Sequence, residues 1–168
     1  VKTNTSLTDP LSEGLAGYWK LDDGSGTSAT DSSANGNTGT LTGAGGLPTW
    51  TTGQIGGAVF FDGTDDYITL GNPSALNIAN NITVSTWVKF SNDQANKPII
   101  ARWGNDESYI ILVDSGSNNR LVFCIRVSNT NKCATSTSTY NDNVWHHVVG
   151  RFNGANVLLT IDGGKEQV

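Results

Sequence analysis

The stretch Trp145–Gly164, WHHVVGRFNGANVLLTIDGG, constrains the fold more than any other part of the chain. Two apolar runs, Trp145–Phe152 and Val157–Ile161, flank the turn Asn153-Gly154-Ala155-Asn156, and a second turn, Asp162-Gly163-Gly164, follows at once. Asn-Gly between two apolar runs is a strong hairpin signal, because both residues tolerate positive φ. Turns this close together leave room only for short antiparallel strands. An all-β sandwich or jelly roll is the expected result.

The rest of the composition agrees. A chain of 168 residues is long enough for one domain with a sizeable core. Its 20 glycines and only 15% charged residues suit a β-protein with many turns. A net charge of -5 and a pI near 4.7 offer no basic face, which argues against a nucleic-acid partner. No run of 18 apolar residues exists, so no helical membrane span is expected. Residues Val1–Gly14 lack periodicity and read as a leader or linker, with the domain over residues 15–168.

Along that domain, Leu15–Leu21 reads as the first strand and Asp22–Gly39 as a long polar loop. In such a mixture Asp, Ser, Thr and Asn side chains compete for the backbone's hydrogen bonds. Leu41–Gly57 is expected to be irregular, and Ala58–Asp62 and Tyr67–Leu70 to form a hairpin about Gly63–Asp66. Pro73–Ala79 offers one helical turn. Ile82–Phe90 alternates, with Ile82, Val84, Thr86, Val88 and Phe90 on one face and Thr83, Ser85, Trp87 and Lys89 on the other. Strands are also expected over Pro98–Trp103, Tyr109–Val113, Leu121–Val127 and Cys133–Ser138. If the turn of the last pair centres on Ser128-Asn129, Cys124 and Cys133 face each other within disulfide reach. A metal or redox pair would need closer spacing or further ligands. A disulfide implies an oxidising compartment.

AVFFDGTDDYITL, ITVSTWVKF and VWHHVVGRFNG with LLTIDGG, in this order, closely resemble the laminin G-like domains of the concanavalin A-like lectin/glucanase superfamily. GLAGYWKLDDGSGTSATDSSANGNTGTLTG resembles the opening of the bacterial variety. The resemblance covers Gly14 to Gly164. It implies an antiparallel jelly roll of two curved sheets, an extracellular and mostly non-catalytic role in binding carbohydrate or protein, and often a structural calcium. Domains of this kind continue through further strands past the turn at Asp162, so the resemblance also implies that the usual closing strands are missing here.

Calcium takes six to eight oxygen ligands. Asp22, Asp23, Ser25, Thr27 and Asp31, with glycines between them, can supply several, and the resemblance favours calcium at this loop. Asp62, Asp65 and Asp66 form a second candidate, although Asp in a β-turn needs no metal. His146 and His147 are strand neighbours that point to opposite faces, so they are read as structural. Sugar binding would use aromatics that stack on a ring, with polar groups beside them. Arg102, Trp103 and Tyr109 flank the loop Gly104–Ser108, and Trp50 and Tyr140 stand in polar stretches. Trp19, Trp87 and Trp145 lie inside expected strands and read as packing residues.

Glycoside hydrolysis needs two carboxylates about 5–10 Å apart. The three glutamates, Glu13, Glu107 and Glu166, are scattered, and no expected strand carries an acidic pair two residues apart. The expected function is therefore non-catalytic recognition or adhesion at the cell surface, toward carbohydrate or a surface protein. The alternative is a pilin-like head or subunit of a surface filament, in which a strand from another chain completes the sheet.

Overall fold

The computed structural model describes residues 13–78, 80–91, 96–103, 108–114, 116 and 119–167, the last three by backbone alone. The fold is all-β and antiparallel, with a single 3-10 turn at Ser74–Leu76 among the described residues. Two compact units divide it, residues 1–76 and 77–168.

In the first unit β1 (Ser28–Ala29), β2 (Gly39–Thr42) and β5 (Tyr67–Thr69) form one sheet, and β3 (Thr49–Thr52) pairs with β4 (Gly57–Phe60) in a second. Three expectations are corrected here. Leu15–Leu21 is not a strand: Trp19 makes one isolated bridge to Asp31, its ring folds back over Gly17, and Leu21 has φ 58°, which ends the extended run. The supposedly irregular Leu41–Gly57 contains β3, whose Thr and Trp residues suit a pleated surface. Finally, β4 and β5 do not form a hairpin with each other. β4 turns back on β3 through residues 53–56, where the Gly53 amide donates to the Gly56 carbonyl at 2.9 Å, while β5 pairs with the distant β2.

The second unit is a sandwich of two four-stranded sheets. One has the order β13 (Gly164–Gln167), β12 (Val157–Ile161), β11 (His146–Asn153), β6 (Asn81–Val88). The other has the order β10 (Thr130–Thr135), β9 (Leu121–Val127), β8 (Ser108–Val113), β7 (Pro98–Arg102). Alternation decides the faces. Ile82, Val148, Phe152, Leu159 and Ile161 from the first sheet meet Ile111, Val113, Leu121, Phe123 and Ile125 from the second in one buried core.

Turn chemistry sets the register. Asn153 accepts hydrogen bonds from the amides of Ala155 and Asn156 at 3.1 and 2.8 Å, and Gly154 has φ 88°. Ser128 and Asn129 both have positive φ, as a two-residue type I′ turn requires, and they place Cys133 directly opposite Cys124. The two cysteines form a disulfide with Cα atoms 4.1 Å apart. It joins Ile110, Val122 and Leu112 in a second, smaller apolar cluster.

Candidate functional site

The acidic loop of residues 22–39 is organised by its own hydrogen bonds. The Asp31 carboxylate accepts from the amides of Tyr18 at 3.0 Å, Ser33 at 2.8 Å and Asn37 at 2.8 Å. Burial acts to raise its pKa, but these donors outweigh burial and hold it at about 2. Asp23 accepts from both the hydroxyl and the amide of Thr30, and the hydroxyl bond lowers its pKa. Trp19 and Trp50 tie the loop down, donating from their indole nitrogens to the carbonyls of Asn37 and Gly26. Asp22, Ser25 and Thr27 are exposed, and the Thr27 carbonyl accepts from the Leu41 amide. The first candidate metal loop thus has an internal hydrogen-bond explanation.

The carboxylates that converge are the second candidate. Asp62, Asp65 and Asp66 bring ligand oxygens within 4.8 Å of one another, the one grouping of acidic, His and Cys side chains among the described residues that could hold a metal ion. Each carboxylate is steered by main-chain amides: Asp62 by Thr64, Asp66 by Asp62, and Asp65 by Ala44 and Gly45. Gly43 has no Cβ, and the Gly46 carbonyl and an Asp66 carboxylate oxygen occupy the space one would take. The donor set is all oxygen, which fits a hard cation such as calcium.

Of the expected sugar contacts, Arg102 and Trp103 stand at the end of β7. Trp103 is 43% exposed, and the Arg102 guanidinium donates to the Asn77 side-chain oxygen. Residues 104–107 of the loop beyond lie outside the described residues. Tyr109 corrects the expectation: it is 6% exposed within the core, and burial raises its phenol pKa, so its ring cannot stack on a ligand. Trp50 is half-buried on its hydrogen bond to Gly26. Tyr140 packs edge-on against His146, with ring centroids 4.8 Å apart.

The two histidines part as the alternation requires. His146 is buried between two carboxylates, Nδ1 at 2.7 Å from Asp162 and Nε2 at 3.0 Å from Asp142. His147 lies on the opposite face, with Nε2 at 2.8 Å from the Ser85 hydroxyl and its ring 5.1 Å from that of Trp87. Trp87 was expected to pack, yet it is 38% exposed. The signal was in the alternation of Ile82–Phe90, which already set Trp87 opposite the core-facing Val84 and Val88.

The family model described as the concanavalin A-like lectin/glucanases superfamily, of laminin G type, matches residues 62–168. Among solved structures, an S-layer domain-containing protein from Clostridium thermocellum (residues 221–444) is similar over 89% of this chain and 70% of its own, with 25% identity and a TM-score of 0.55. Domain 4 of an extracellular GH43 arabinanase from Geobacillus stearothermophilus, in complex with arabinotriose, is similar over 82% of this chain and 68% of its own. There the identity is 21% and the TM-score 0.62, a likeness of fold. No curated protein sequence matches.

Proposed function

The chain belongs to the concanavalin A-like lectin/glucanases superfamily, and on that premise we propose that it is a non-catalytic, extracellular carbohydrate-recognition module. The observation that carries this reading is Trp103, an exposed indole adjoining Arg102, whose guanidinium is held by Asn77. A flat apolar ring beside an oriented fork of donors is what a sugar's C–H face and its hydroxyls require together. Arg102 and Trp103 are the principal contacts in this proposal.

Two further observations support it. Strands β6 to β12 contain no Asp or Glu and β13 contains only Glu166, so the strands of the sandwich carry no pair of carboxylates of the kind glycoside hydrolysis uses. The cross-strand disulfide suits an oxidising, extracellular setting, and the likeness to an S-layer domain-containing protein and to a domain of an extracellular arabinanase agrees with it. A structural calcium held by Asp62, Asp65 and Asp66 is part of the same proposal; its role would be to fix the turn between β4 and β5.

The likeness to an S-layer protein favours a second reading, assembly on a cell surface through the outer edge of β13, which pairs with β12 on one side. Calorimetric titration with a panel of oligosaccharides that includes arabinotriose tests the first reading. Glycan binding that weakens about tenfold in Trp103→Ala is expected, the scale of an aromatic anchor. Binding to no glycan, or binding indifferent to Trp103, would defeat it.

A further inference from the structure

We propose that the solvent-facing surface of β6 and β11 is a second glycan site, selective for polysaccharides that carry carboxylates. This rests on the reading of the chain as a carbohydrate-recognition module, but it uses the sheet opposite the one that carries Trp103.

The register assembles the surface. Trp87 pairs with His147, Ser85 with Val149 and Thr83 with Arg151, all on the face turned away from the core. Thr160 and Leu158 of β12 continue the face beside Val149 and Arg151. At one end an aromatic cluster forms. The Trp87 ring leans on His147, whose imidazole is held by Ser85, and Lys89 places its ammonium 5.3 Å from the ring centre of Trp145. Trp87 nevertheless stays 38% exposed, which is unusual for a side chain with so much apolar area to bury.

Charge selects the occupant. The chain as a whole carries -5, yet β6, β11 and β12 contain no acidic residue, and this face presents Lys89 and Arg151, both exposed, with His147 between them. Asp162, which follows β12, is engaged by His146 and by the His147 amide. A cationic face on an acidic protein concentrates anionic ligands and steers them. From Trp87 to the level of Arg151 is four residues along β6, about 13 Å at roughly 3.3 Å per residue, the reach of an oligosaccharide rather than of a single ring. One sugar would stack on Trp87 while Arg151 binds the carboxylate of a later unit through its planar fork; Ser85 and Thr160 lie at the level between, and Thr83 pairs with Arg151.

Affinity electrophoresis of the intact chain through gels containing polygalacturonate or arabinan tests the proposal. Polygalacturonate should retard the wild type, and added salt should weaken the effect, because exposed charges are screened. Retardation should fall about tenfold, the scale of an interface anchor, in Trp87→Ala and in Arg151→Gln. Thermal melts identify any variant that fails to fold. Arg151→Gln and Lys89→Gln, at exposed positions, decide the matter if Trp87→Ala is such a case. No retardation by polygalacturonate, or full retardation of Arg151→Gln, overturns the proposal. If arabinan alone retards the chain, through Trp103, the second site falls and the recognition module stands. If neither polymer does, the second site falls, and the oligosaccharide titration decides the recognition module separately.

Discussion

Gly150 of β11 and Phe123 of β9 meet across the sandwich so closely that a Cβ at residue 150 would overlap the Phe123 ring. Both lie in the buried interior, Phe123 wholly without exposure. The glycine is thus required by packing rather than by backbone conformation, since its φ is not among the positive ones. The ring fills the hollow that the missing side chain leaves, and it pins the two sheets at one separation.

Gly150→Ala is therefore expected to destabilise the chain by about 1–3 kcal/mol, the usual scale of overpacking. Denaturant melts measure it. Phe123→Leu in the same chain should recover part of the loss, because the smaller side chain vacates the overlap and residues in contact are not additive. Additive losses in the double variant would show that the two residues do not meet.

Loss of the disulfide through Cys124→Ala with Cys133→Ala should cost about 2 kcal/mol, the scale for a short closed loop. The type I′ turn at Ser128-Asn129 already holds the hairpin in register, so the sheet should survive. The prediction is a lower melting temperature with unchanged far-ultraviolet dichroism, reproduced by reduction of the wild type. An identical melt with and without reductant would contradict it.

Legibility in the sequence follows the distance between partners. The ladders of the second unit join hairpin neighbours or strongly alternating runs, and Asn153-Gly154, Ser128-Asn129 and Asp162-Gly163 announce their turns in residues that accept positive φ. In the first unit, Thr42 pairs with Tyr67 and Trp19 bridges to Asp31. No local turn specifies such partners, and AVFFD and YITL therefore suggested a hairpin that packing does not form. At the candidate sites, residue type alone could not tell which carboxylates converge and which spread their bonds over the local main chain. Asp31 is consumed by three main-chain amides, whereas Asp62, Asp65 and Asp66 keep converging oxygens because their tight turn folds them together. Trp87 misled for the opposite reason, since a large aromatic is read as buried unless its strand face is followed through.

The pair His146–Asp162, with Asp142 on the other nitrogen, makes stability depend on pH. An imidazole donates from both nitrogens only when protonated, so two carboxylate partners favour the cation. Burial of the ring acts against that charge, but the bonds to Asp162 and Asp142 outweigh it and raise the pKa. A raised histidine contributes stability that is complete below its unfolded value of about 6.5 and is lost as pH rises through the folded value. Asp142 is lowered by the bond from His146; for Asp162 burial acts upward, but the His146 bond prevails and lowers it. Their contribution is present above the ordinary carboxylate range and is lost as pH falls through the folded values. Melting temperature should therefore decline from about pH 6.5 upward, and His146→Gln should flatten that decline between about pH 6 and 9, below the range where tyrosines titrate. Each carboxylate is also anchored by a main-chain amide, Asp142 by that of Val144 and Asp162 by that of His147. Parallel pH profiles for wild type and variant would remove His146 from this role.

The Asp62–Asp65–Asp66 cluster yields a prediction whose sign changes with the metal. Three carboxylates with oxygens within 4.8 Å repel one another when no cation lies between them. Removing one charge while keeping its acceptor oxygen, as in Asp66→Asn, should leave the melting temperature in EDTA unchanged or raised, because the Asp62 amide still finds its partner. With calcium the same substitution should remove most of the stabilisation that the ion provides. For a single site that stabilisation is about 2.7 kcal/mol at a hundredfold excess over Kd, or a rise of roughly 2–4 °C per kcal/mol for a chain of this size. Asp23→Asn, in the loop that serves its own hydrogen bonds, should leave the calcium response intact. Melting curves of wild type, Asp66→Asn, Asp65→Asn and Asp23→Asn in calcium and in EDTA separate the cases. A calcium response that survives in Asp65→Asn and Asp66→Asn but disappears in Asp23→Asn would move the metal to the loop of residues 22–31, and no response in the wild type would remove it altogether.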